Sequence, residues 1–415
     1  MARKPKNYLL LCQTCPVANQ VNAPRGMRDF LPQDKIKRER LISTVVESYM
    51  ARGFQQIETP VLEDLERLTS GQGGDNEKLV FKVQKRGEEF TQALDSGAEL
   101  ADLGLRFDLT VPLTRFYASN HSKLPRVFKA IQTGPVFRAE RPQKGRYRQF
   151  IQCDIDIIGD DSILAELELL SASLSALEAI GITDATIRVN HRELLRSNIQ
   201  ALGISNDDAL AAMITIDKLD KIGIEGVSKE LGEKFGEAVQ KSAQAWLAGI
   251  DAGQVPELLQ PIWEGLGNQA SSLRFDPTLV RGMGYYTGSI FEIEHPGSGS
   301  SIGGGGRYDG MVGKWLGTDA PAVGISLGIE RIVDLIPDHH SKVESAVLVL
   351  EPNTQALGLR FQQQLITSGR QVRLEIRPKN LKALLEQLAE NGYQQFAIVD
   401  ESMSDLSDLD FKQIG

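Results

Sequence analysis

The sequence lacks the features of membrane-spanning and metal-stabilised proteins. No apolar run approaches the ~18 residues that a membrane-spanning helix needs, because Gly, Asp or Lys interrupts the longest apolar clusters. Cysteine occurs only three times, and Cys12 with Cys15 forms a lone C-x-x-C with no second pair of ligands nearby. A structural zinc ion needs four ligands, and a redox C-x-x-C normally follows a strand. We therefore expect no membrane span and neither a zinc nor a redox site at this motif.

The common phosphate-binding motifs are also missing. Neither a Walker sequence nor a G-x-G-x-x-G after a strand occurs. Gly324–Gly328 matches the G-x-S-x-G of serine hydrolases, but such enzymes need an acid and a distant histidine on later strands. Here His339 and His340 follow within about one helix, and no alternating parallel β/α run precedes Ser326. A hydrolase is therefore not the favoured interpretation.

An excess of positive charge is absent as well, since the net charge is −9. This argues against a protein that coats nucleic acid nonspecifically. Two local basic patches nevertheless occur, at 138–148 and at 370–382. A charge run is usually a solvated face, so the patches alone assign no function.

Length and composition indicate a folded protein with two or three domains. The chain has 415 residues, against a prior of about 150 per domain. Hydrophobic residues make up 41% and charged residues 24%, as in ordinary globular proteins. Basic residues precede Leu9–Leu11, but that apolar run is too short for a signal peptide. We therefore expect an N-terminal extension over residues 1–22 and a cytoplasmic protein.

Hydrophobic periodicity predicts alternating helices and strands. The expected elements are helices over 35–50 and 162–181 and strands over 54–59, 105–111, 127–137, 149–157 and 185–190. In the 149–157 strand, period-two alternation places Gln152, Asp154 and Asp156 on one face. From Arg192 to about Gly267 the pattern is almost wholly helical, and strand and glycine signals resume at Leu273. Residues 345–400 alternate strand and helix, which predicts a small parallel α/β domain.

Arginine recurs beside glycine or aromatic residues in four separate segments. Gly303–Gly306 precedes Arg307, Arg281 opens a segment with two tyrosines, Arg331 follows Gly328, and the 138–148 patch is the fourth. Four successive glycines suit either a backbone that approaches a ligand or a flexible loop. Guanidinium groups bind phosphate bidentately and stack on rings. The combination therefore favours a site for a polyphosphate and a small planar substrate.

These segments resemble, in order, the motifs of the histidyl-tRNA synthetases, which are class II aminoacyl-tRNA synthetases. The segments are 23–32 (APRGMRDFLP), a motif 1 helix and strand ending at Pro60, 105–110 (LRFDLT), 137–150 (FRAERPQKGRYRQF), 281–287 (RGMGYYT), 305–310 (GGRYDG) and 324–331 (GISLGIER). The resemblance extends from about Ala23 to the end of the chain. It also includes residues 216–221 (IDKLDK).

The resemblance implies a class II fold: an α+β catalytic domain with an antiparallel six-stranded sheet flanked by helices, a helical insertion and a small C-terminal α/β domain. On this basis the catalytic domain spans 23–192 and 268–338. The helical insertion spans 193–267, and an anticodon-binding-like domain spans 343–415 and stops short of the family's usual final strand and helix. The implied enzyme is a homodimeric histidine–tRNA ligase that forms histidyl-adenylate from histidine and ATP with Mg²⁺, then esterifies tRNA(His).

Residue roles follow from the same resemblance. The implied catalytic residues are Arg138 and Arg281, and no residue is implied as a metal ligand. The implied ATP-binding residues are Arg138, Glu140, Arg146, Phe150 and Arg331. The implied histidine-binding residues are Asp108, Thr110, Gln152, Asp156, Arg281, Tyr285, Tyr286 and Tyr308. The implied tRNA-binding residues are Arg141, Lys144, Arg373, Arg377 and Lys379. The chain departs from the family at Gly284, where an aspartate is usual.

A second interpretation is a non-charging paralogue that resembles the regulatory subunit of ATP phosphoribosyltransferase. Such paralogues generally lack the C-terminal domain and have eroded catalytic motifs. Here the arginines and both histidine motifs are present, which favours the ligase. A pure RNA-binding module would leave the ATP-type motifs unexplained.

Overall fold

The computed structural model describes residues 21–69, 78–142, 145–250, 254–281, 285–336 and 344–414. The chain forms two compact units. Of the described residues, the larger unit holds 21–29 and those within Ile42–Leu335, and the smaller unit holds Phe30–Leu41, Ile336 and those from residue 344 onward. No helix in the described ranges is both long and apolar enough to cross a membrane.

Helices and strands alternate along most of the described chain. The helices are α1 (Pro32–Met50), α2 (Leu65–Thr69), α3 (Gly87–Ser96), α4 (Thr110–Asn120), α5 (Ile163–Ala179), α6 (Arg192–Ala201), α7 (Ala209–Ile216), α8 (Leu219–Phe235), α9 (Glu237–Ala248), α10 (Gln260–Leu266), α11 (Asp309–Leu316), α12 (Ile329–Val333), α13 (Gln355–Thr367) and α14 (Leu381–Glu390). The strands are β1 (Gln55–Ile57), β2 (Leu62–Asp64), β3 (Phe81–Gln84), β4 (Ala101–Leu105), β5 (Phe128–Phe137), β6 (Gln149–Ile158), β7 (Thr186–His191), β8 (Leu273–Phe275), β9 (Ser289–Glu294), β10 (Gly303–Arg307), β11 (Ala322–Gly328), β12 (Ser345–Leu350), β13 (Gln371–Ile376), β14 (Gln395–Val399) and β15 (Lys412–Gln413).

The larger unit is built on an eight-stranded sheet with the order β1-β5-β6-β11-β10-β9-β7-β8. Its six central strands, β5 to β7 in this order, are all antiparallel to their neighbours. The edge strands β1 and β8 pair in parallel. The expected antiparallel six-stranded sheet with flanking helices is thus confirmed, and a parallel strand is added at each edge.

Strand β6 shows why the sheet has a packed face and a polar face. Cys153, Ile155 and Ile157 point to one side and are fully buried, and α5 packs on this part of the sheet. Gln152, Asp154 and Asp156 point to the other side, as the alternation predicts. They too are buried, each less than 9% exposed. This polar face is therefore the floor of a pocket and not a solvated surface.

Two expectations change in the structure. The predicted strand over 105–111 is wrong, because β4 ends at Leu105 and α4 starts at Thr110. The Asp108 carboxylate accepts a hydrogen bond from the Val111 amide (3.1 Å), and Pro112 lies in the first turn, where its missing N–H costs nothing. The four-glycine segment is not a loop: it forms β10, paired on both edges.

In the smaller unit, β13, β12 and β14 are parallel and β15 is antiparallel to β14. All six residues of β12 are buried, as expected for the central strand of a covered parallel sheet. The alternating pattern over 345–400 is confirmed, and these residues form the expected small α/β fold.

Candidate active site

The register of the six antiparallel strands places one row of polar residues and a glycine across the sheet. Asp154 on β6 pairs with Gln132 on β5 and with Ser326 on β11. Ser326 pairs with Gly304 on β10, which in turn pairs with Glu292 on β9. Glu292 pairs with Arg188 on β7. Charged and polar groups that are far apart in sequence therefore lie side by side.

Glycines at three positions on β10 and β11 let neighbouring groups approach these strands closely. A Cβ atom on Gly324 would lie 1.9 Å from Asp156 Oδ1, and one on Gly304 would lie 2.8 Å from the Arg281 guanidinium carbon. A Cβ on Gly305 would lie 1.9 Å from the Gly324 carbonyl oxygen. The glycine strand is thus required by the close approach of its neighbours.

A pocket with an empty volume of about 450 Å³, its open mouth included, lies over these strands. Its lining is Asp108, Thr110, Arg138, Gln152, Asp154, Asp156, Arg281, Tyr285, Tyr286, Gly304, Gly305, Tyr308, Gly324, Ile325 and Ser326. The structure therefore brings together all eight residues for which the sequence implies histidine binding, along with Arg138.

One end of the pocket combines a carboxyl group with aromatic walls. The Tyr308 hydroxyl donates a hydrogen bond to Asp156 Oδ1 (2.5 Å). Burial raises the pKa of Asp156 to about 7, although the Tyr308 hydrogen bond acts in the opposite direction. The Tyr285 ring lies edge-on to Tyr308 (6.0 Å between centroids) and 4.7 Å from the Tyr286 ring. This end suits a small ring that carries a hydrogen-bond donor.

A second carboxyl group enters from the turn between β4 and α4. Asp108 Oδ1 accepts from the Val111 amide, as described above. Burial raises the pKa of Asp108 to about 6, and the Val111 amide and the nearby Arg138 charge limit the rise. Thr110 is hydrogen-bonded to Tyr285, which connects this end with the aromatic wall.

Arg138 and Phe150 lie on the hairpin that β5 and β6 form. The Arg138 amide donates to the Arg148 carbonyl (2.8 Å) and so continues the strand pairing. The Arg138 guanidinium lies over the Phe150 ring, 5.0 Å from its centroid, and its Nε donates to the Phe107 carbonyl (3.1 Å). Burial lowers the pKa of Arg138, and the Asp108 carboxylate opposes this.

Four arginines crowd the region beside the pocket. Burial lowers the pKa of Arg331, and the charges of Arg146, Arg138 and Arg281 lower it further. Arg331 Nε donates to the Gly145 carbonyl near the tip of the β5–β6 hairpin (3.2 Å), and Nη1 donates to the Ser301 carbonyl. Cations held this close together form a binding site for a multiply charged anion.

A carboxylate that the sequence analysis missed orients Arg281. Arg281 Nη1 donates to Glu292 Oε2 (2.8 Å), and the other oxygen of Glu292 is 3.1 Å from Arg188 Nη1. Arg188 also binds Asp276 and Glu294. Burial lowers the pKa of Arg281, but Tyr286 and Glu292 outweigh it and the net shift is upward. No sequence motif marks β9. The position of Glu292 beside Arg281 therefore becomes visible only in the register of β9.

Ser326 has a role that differs from the one its motif suggests. It lies within β11 and accepts a hydrogen bond from Gln152 Nε2 (2.6 Å). It is also hydrogen-bonded to Asp154. Because Ser326 lies inside a strand and not on a strand-to-helix turn, the G-x-S-x-G match is not a hydrolase elbow. Asp154 was not among the implied site residues, although the period-two pattern already placed it on the right face.

The remaining implied residues lie outside the pocket lining. The Glu140 carbonyl accepts from Arg148 Nε (3.0 Å) in the hairpin that also carries Arg141, and Lys144 lies outside the described residues, as does Gly284. In the smaller unit Arg373 pairs with Glu375 (2.5 Å) and Arg377 with Glu351, while Lys379 follows β13. The 370–382 patch is therefore partly neutralised by nearby carboxylates, one inside and one outside the patch.

Comparisons with known proteins agree on one family. The family model described as histidyl-tRNA synthetase matches residues 26–332. A histidine–tRNA ligase of Leifsonia xyli subsp. xyli is 51% identical, with 92% of this chain and 96% of that protein covered. A probable histidine–tRNA ligase of Tropheryma whipplei is 40% identical over 91% of this chain and 95% of that protein. The crystal structure of the histidyl-tRNA synthetase from Nostoc sp. PCC 7120 matches with a TM-score of 0.73 and 27% identity, covering 95% of this chain and 97% of that one.

Proposed function

The chain belongs to the histidyl-tRNA synthetase family, and we propose that the pocket over β6, β10 and β11 is where it activates histidine. It is an aminoacyl-tRNA ligase that charges tRNA with histidine and uses ATP. The observation that carries the site assignment is the pocket itself. It has a carboxyl–tyrosine pair at one end and borders a cluster of four arginines.

Asp156 and Tyr308 recognise the imidazole ring in this proposal. An ionised Asp156 accepts a hydrogen bond from a ring N–H, and Tyr308 holds that carboxylate in place. Tyr285 and Tyr286 enclose the ring. A substrate of similar size without the ring donor would leave the buried Asp156 unpaired, which supports discrimination against it. Asp108, Thr110 and Gln152 receive the α-amino group.

Arg138 and Arg281 act on the reacting atoms. A carboxylate oxygen of histidine forms a bond to the α-phosphorus of ATP, and the bond to pyrophosphate breaks. Negative charge develops on the α-phosphate during this step, and fixed cations stabilise it. Arg138 contacts the α-phosphate and the histidine carboxylate, while Phe150 stacks on adenine and Glu140 binds its amino group. Arg146 and Arg331 hold the outer phosphates. The adenylate then esterifies the 3′ end of tRNA(His) and AMP leaves.

Mg²⁺ accompanies ATP in this proposal. Mg²⁺ keeps several waters and is usually held by substrate phosphates with one or two carboxylates. Within the described ranges no three His, Cys, Asp or Glu side chains gather as a metal-binding group. When bound, the ion would be held mainly by the phosphates of ATP and would neutralise negative charge there.

We also propose a function for each segment of the chain. Residues 23–192 and 268–338 form the catalytic domain, because they contain every strand of the large sheet. Residues 193–267 form the helical insertion, and 343–415 read the anticodon. Arg141, Lys144, Arg373, Arg377 and Lys379 contact tRNA. The protein works in the cytoplasm as a homodimer joined through α1 and β1. Light scattering of the purified chain measures the mass of the assembly and so tests the dimer.

The non-charging paralogue is less well supported. An ATP phosphoribosyltransferase regulatory subunit/histidyl-tRNA synthetase from Bacillus halodurans matches with a TM-score of 0.72 at 20% identity, which shows a shared fold alone. The family model and the 51% identical histidine–tRNA ligase support the ligase instead.

Histidine-dependent exchange of pyrophosphate into ATP tests the proposed function. We expect exchange with histidine and none without it, and acylation of tRNA(His) by the same preparation. A folded protein that acylates nothing and exchanges no pyrophosphate would overturn the proposal.

A further inference from the structure

Three buried acceptor oxygens face the same pocket without a partner in the described part of the chain. They are Asp108 Oδ2, Gln152 Oε1 and Asp154 Oδ1. A buried acceptor without a hydrogen bond is costly, and a folded protein tolerates few of them. Three such atoms around one cavity therefore indicate a ligand that donates hydrogen bonds.

The hydrogen bonds of Ser326 determine which atoms of Gln152 and Asp154 remain without a partner. Its hydroxyl accepts from Gln152 Nε2 (2.6 Å) and is hydrogen-bonded to Asp154. The serine therefore binds the amide nitrogen of Gln152 and leaves the amide oxygen toward the pocket. It also holds one carboxyl oxygen of Asp154 while the other remains available. Asp108 is held in the same way by the Val111 amide, which takes only Oδ1.

The chemistry of this acceptor set matches a primary ammonium group. Such a group has three N–H donors and no acceptor, and two of the three oxygens belong to carboxyl groups that can balance its charge. We propose that Asp154 is a further histidine-binding residue, which contacts the α-ammonium group from the sheet side, opposite Asp108, with Ser326 as the residue that positions it. This inference rests on the proposed function of the pocket and adds a residue that the family resemblance does not assign.

The charges around Asp154 are consistent with this role. Burial raises the pKa of Asp154 well above its ordinary value, and the neighbouring Asp156 and Asp108 carboxyl groups raise it further. The Ser326 hydrogen bond and the Arg138 charge act in the opposite direction. A cation placed between Asp154 and Asp108 relieves their repulsion and favours the ionised carboxylates. The pocket is thus suited to bind a positive charge at this position.

Two histidine analogues separate ammonium recognition from ring recognition. Histidinol keeps the ammonium group and the ring, while imidazolepropionic acid keeps the ring and the carboxylate but has no ammonium group. Calorimetry with the full-length Asp154→Asn variant should show histidinol binding weakened about tenfold or more, since a charge-assisted hydrogen bond is lost. Imidazolepropionate binding should stay within about twofold.

Two further variants serve as controls. Asp161→Asn makes the same chemical change at an exposed position just after β6 and should leave both affinities unchanged. Asp156→Asn should weaken both analogues, because both carry the ring. If Asp154→Asn is unfolded by circular dichroism, Ser326→Ala decides the matter. It should weaken histidinol binding about threefold to tenfold, since Gln152 and Asp154 lose their anchor, and it should spare imidazolepropionate.

The outcomes separate failure of this inference from failure of the proposed function. Wild-type protein that exchanges no pyrophosphate and binds neither analogue would contradict both. Wild-type protein that exchanges and binds histidinol, with a folded Asp154→Asn variant that binds histidinol equally well, would overturn the inference alone. Equal weakening of both analogues by Asp154→Asn would also overturn it, because a general disturbance of the pocket does not select for the ammonium group.

Discussion

Single side chains in this pocket work through partners that hold them in place. Arg281 is oriented by Glu292, Asp156 by Tyr308, and Gln152 by Ser326. Each pair joins residues from different strands or loops. Because the groups are buried, their charges interact more strongly than they would in water. Substitutions here should therefore affect particular steps of the reaction, and each variant must also be checked for folding.

Arg281→Ala should remove most adenylate formation. The guanidinium is proposed to stabilise charge that develops on the α-phosphate, and the loss of one such donor costs about 3 kcal/mol, or about 100-fold in rate. Pyrophosphate exchange measures the effect. Arg274→Ala, which removes a half-exposed arginine paired with Glu294, is the matched control and should exchange normally. Exchange by Arg281→Ala close to the wild-type rate would remove Arg281 from the catalytic residues.

Asp156 should make the ligand-free protein less stable as pH rises from 4 to 7. Its native pKa is about 7, against an ordinary value of 3.8. Between these values the unfolded chain has released the proton and the native state still holds it, so stability falls with pH. Asp156→Asn removes this cost. A difference of about three pKa units corresponds to about 4 kcal/mol, which is fully present above pH 7.

Unfolding of wild type and Asp156→Asn at pH 5 and pH 8 measures the effect. The stability of the variant relative to wild type should increase by a few kcal/mol between the two pH values. Asp161→Asn, at an exposed site, should show no such trend. A pH-independent difference between wild type and Asp156→Asn would mean that the buried carboxyl group is already ionised at pH 5.

At the scale of elements, β10 is the unusual strand. Four successive glycines weaken a strand, because they have no side chains to pack and lose much backbone freedom. Here β9 and β11 pair with both edges, and the absence of side chains lets Arg281 and Tyr286 lie against the strand. The glycines thus make β10 less stable and leave room for the pocket. Gly324 on β11 likewise leaves room for the Asp156 carboxyl group.

Gly324→Ala should impair histidine binding. The new methyl group would lie 1.9 Å from Asp156 Oδ1 and force this carboxyl group away from Tyr308. Overpacking of this kind typically costs about 1–3 kcal/mol, and the KM for histidine in pyrophosphate exchange should rise about tenfold or more. Gly310→Ala is the control, because nothing lies within 4 Å of its Cβ position on α11. A normal KM in Gly324→Ala would show that Asp156 does not contact the ring.

At the scale of the whole molecule, the negative net charge and the local basic patches have different effects on RNA binding. A net charge of −9 limits nonspecific binding of RNA. The residues proposed for adenylation lie within Asp108–Arg331, in the larger unit, and the 370–382 patch lies in the smaller unit. Adenylation and tRNA recognition should therefore be separable by mutation.

Reversal of charge at Arg373 and Arg377 together should weaken tRNA charging and spare pyrophosphate exchange. We expect the KM for tRNA to rise about tenfold at low salt, and the deficit to shrink as salt increases, because fewer counterions are released. Arg360→Glu with Lys412→Glu changes the charge of the smaller unit by the same amount outside the patch. If both double variants charge tRNA equally well, the patch does not bind RNA.

The strength of local patterns determined which elements could be predicted. Alternation along Gln149–Ile157 and the strand–helix pattern over 345–400 persist for whole elements, and both predictions are confirmed. The strand predicted over 105–111 is wrong because a single side chain, that of Asp108, starts a helix at Thr110. The glycine strand β10 had no β propensity of its own, and only pairing with distant strands makes it a strand.

The sequence by itself determined the family and the identities of the charged and aromatic residues, because contiguous motifs carry both. Only the tertiary structure decided how these residues face one another. The register of β11 against β6 places Ser326 between Gln152 and Asp154, and the register of β9 places Glu292 beside Arg281. Gln152 and Ser326 are far apart in sequence and meet because their strands pair, and pairing depends on the packing of the whole sheet. Local sequence therefore identifies the charged and aromatic residues, and long-range contacts set their orientation and shift their pKa values.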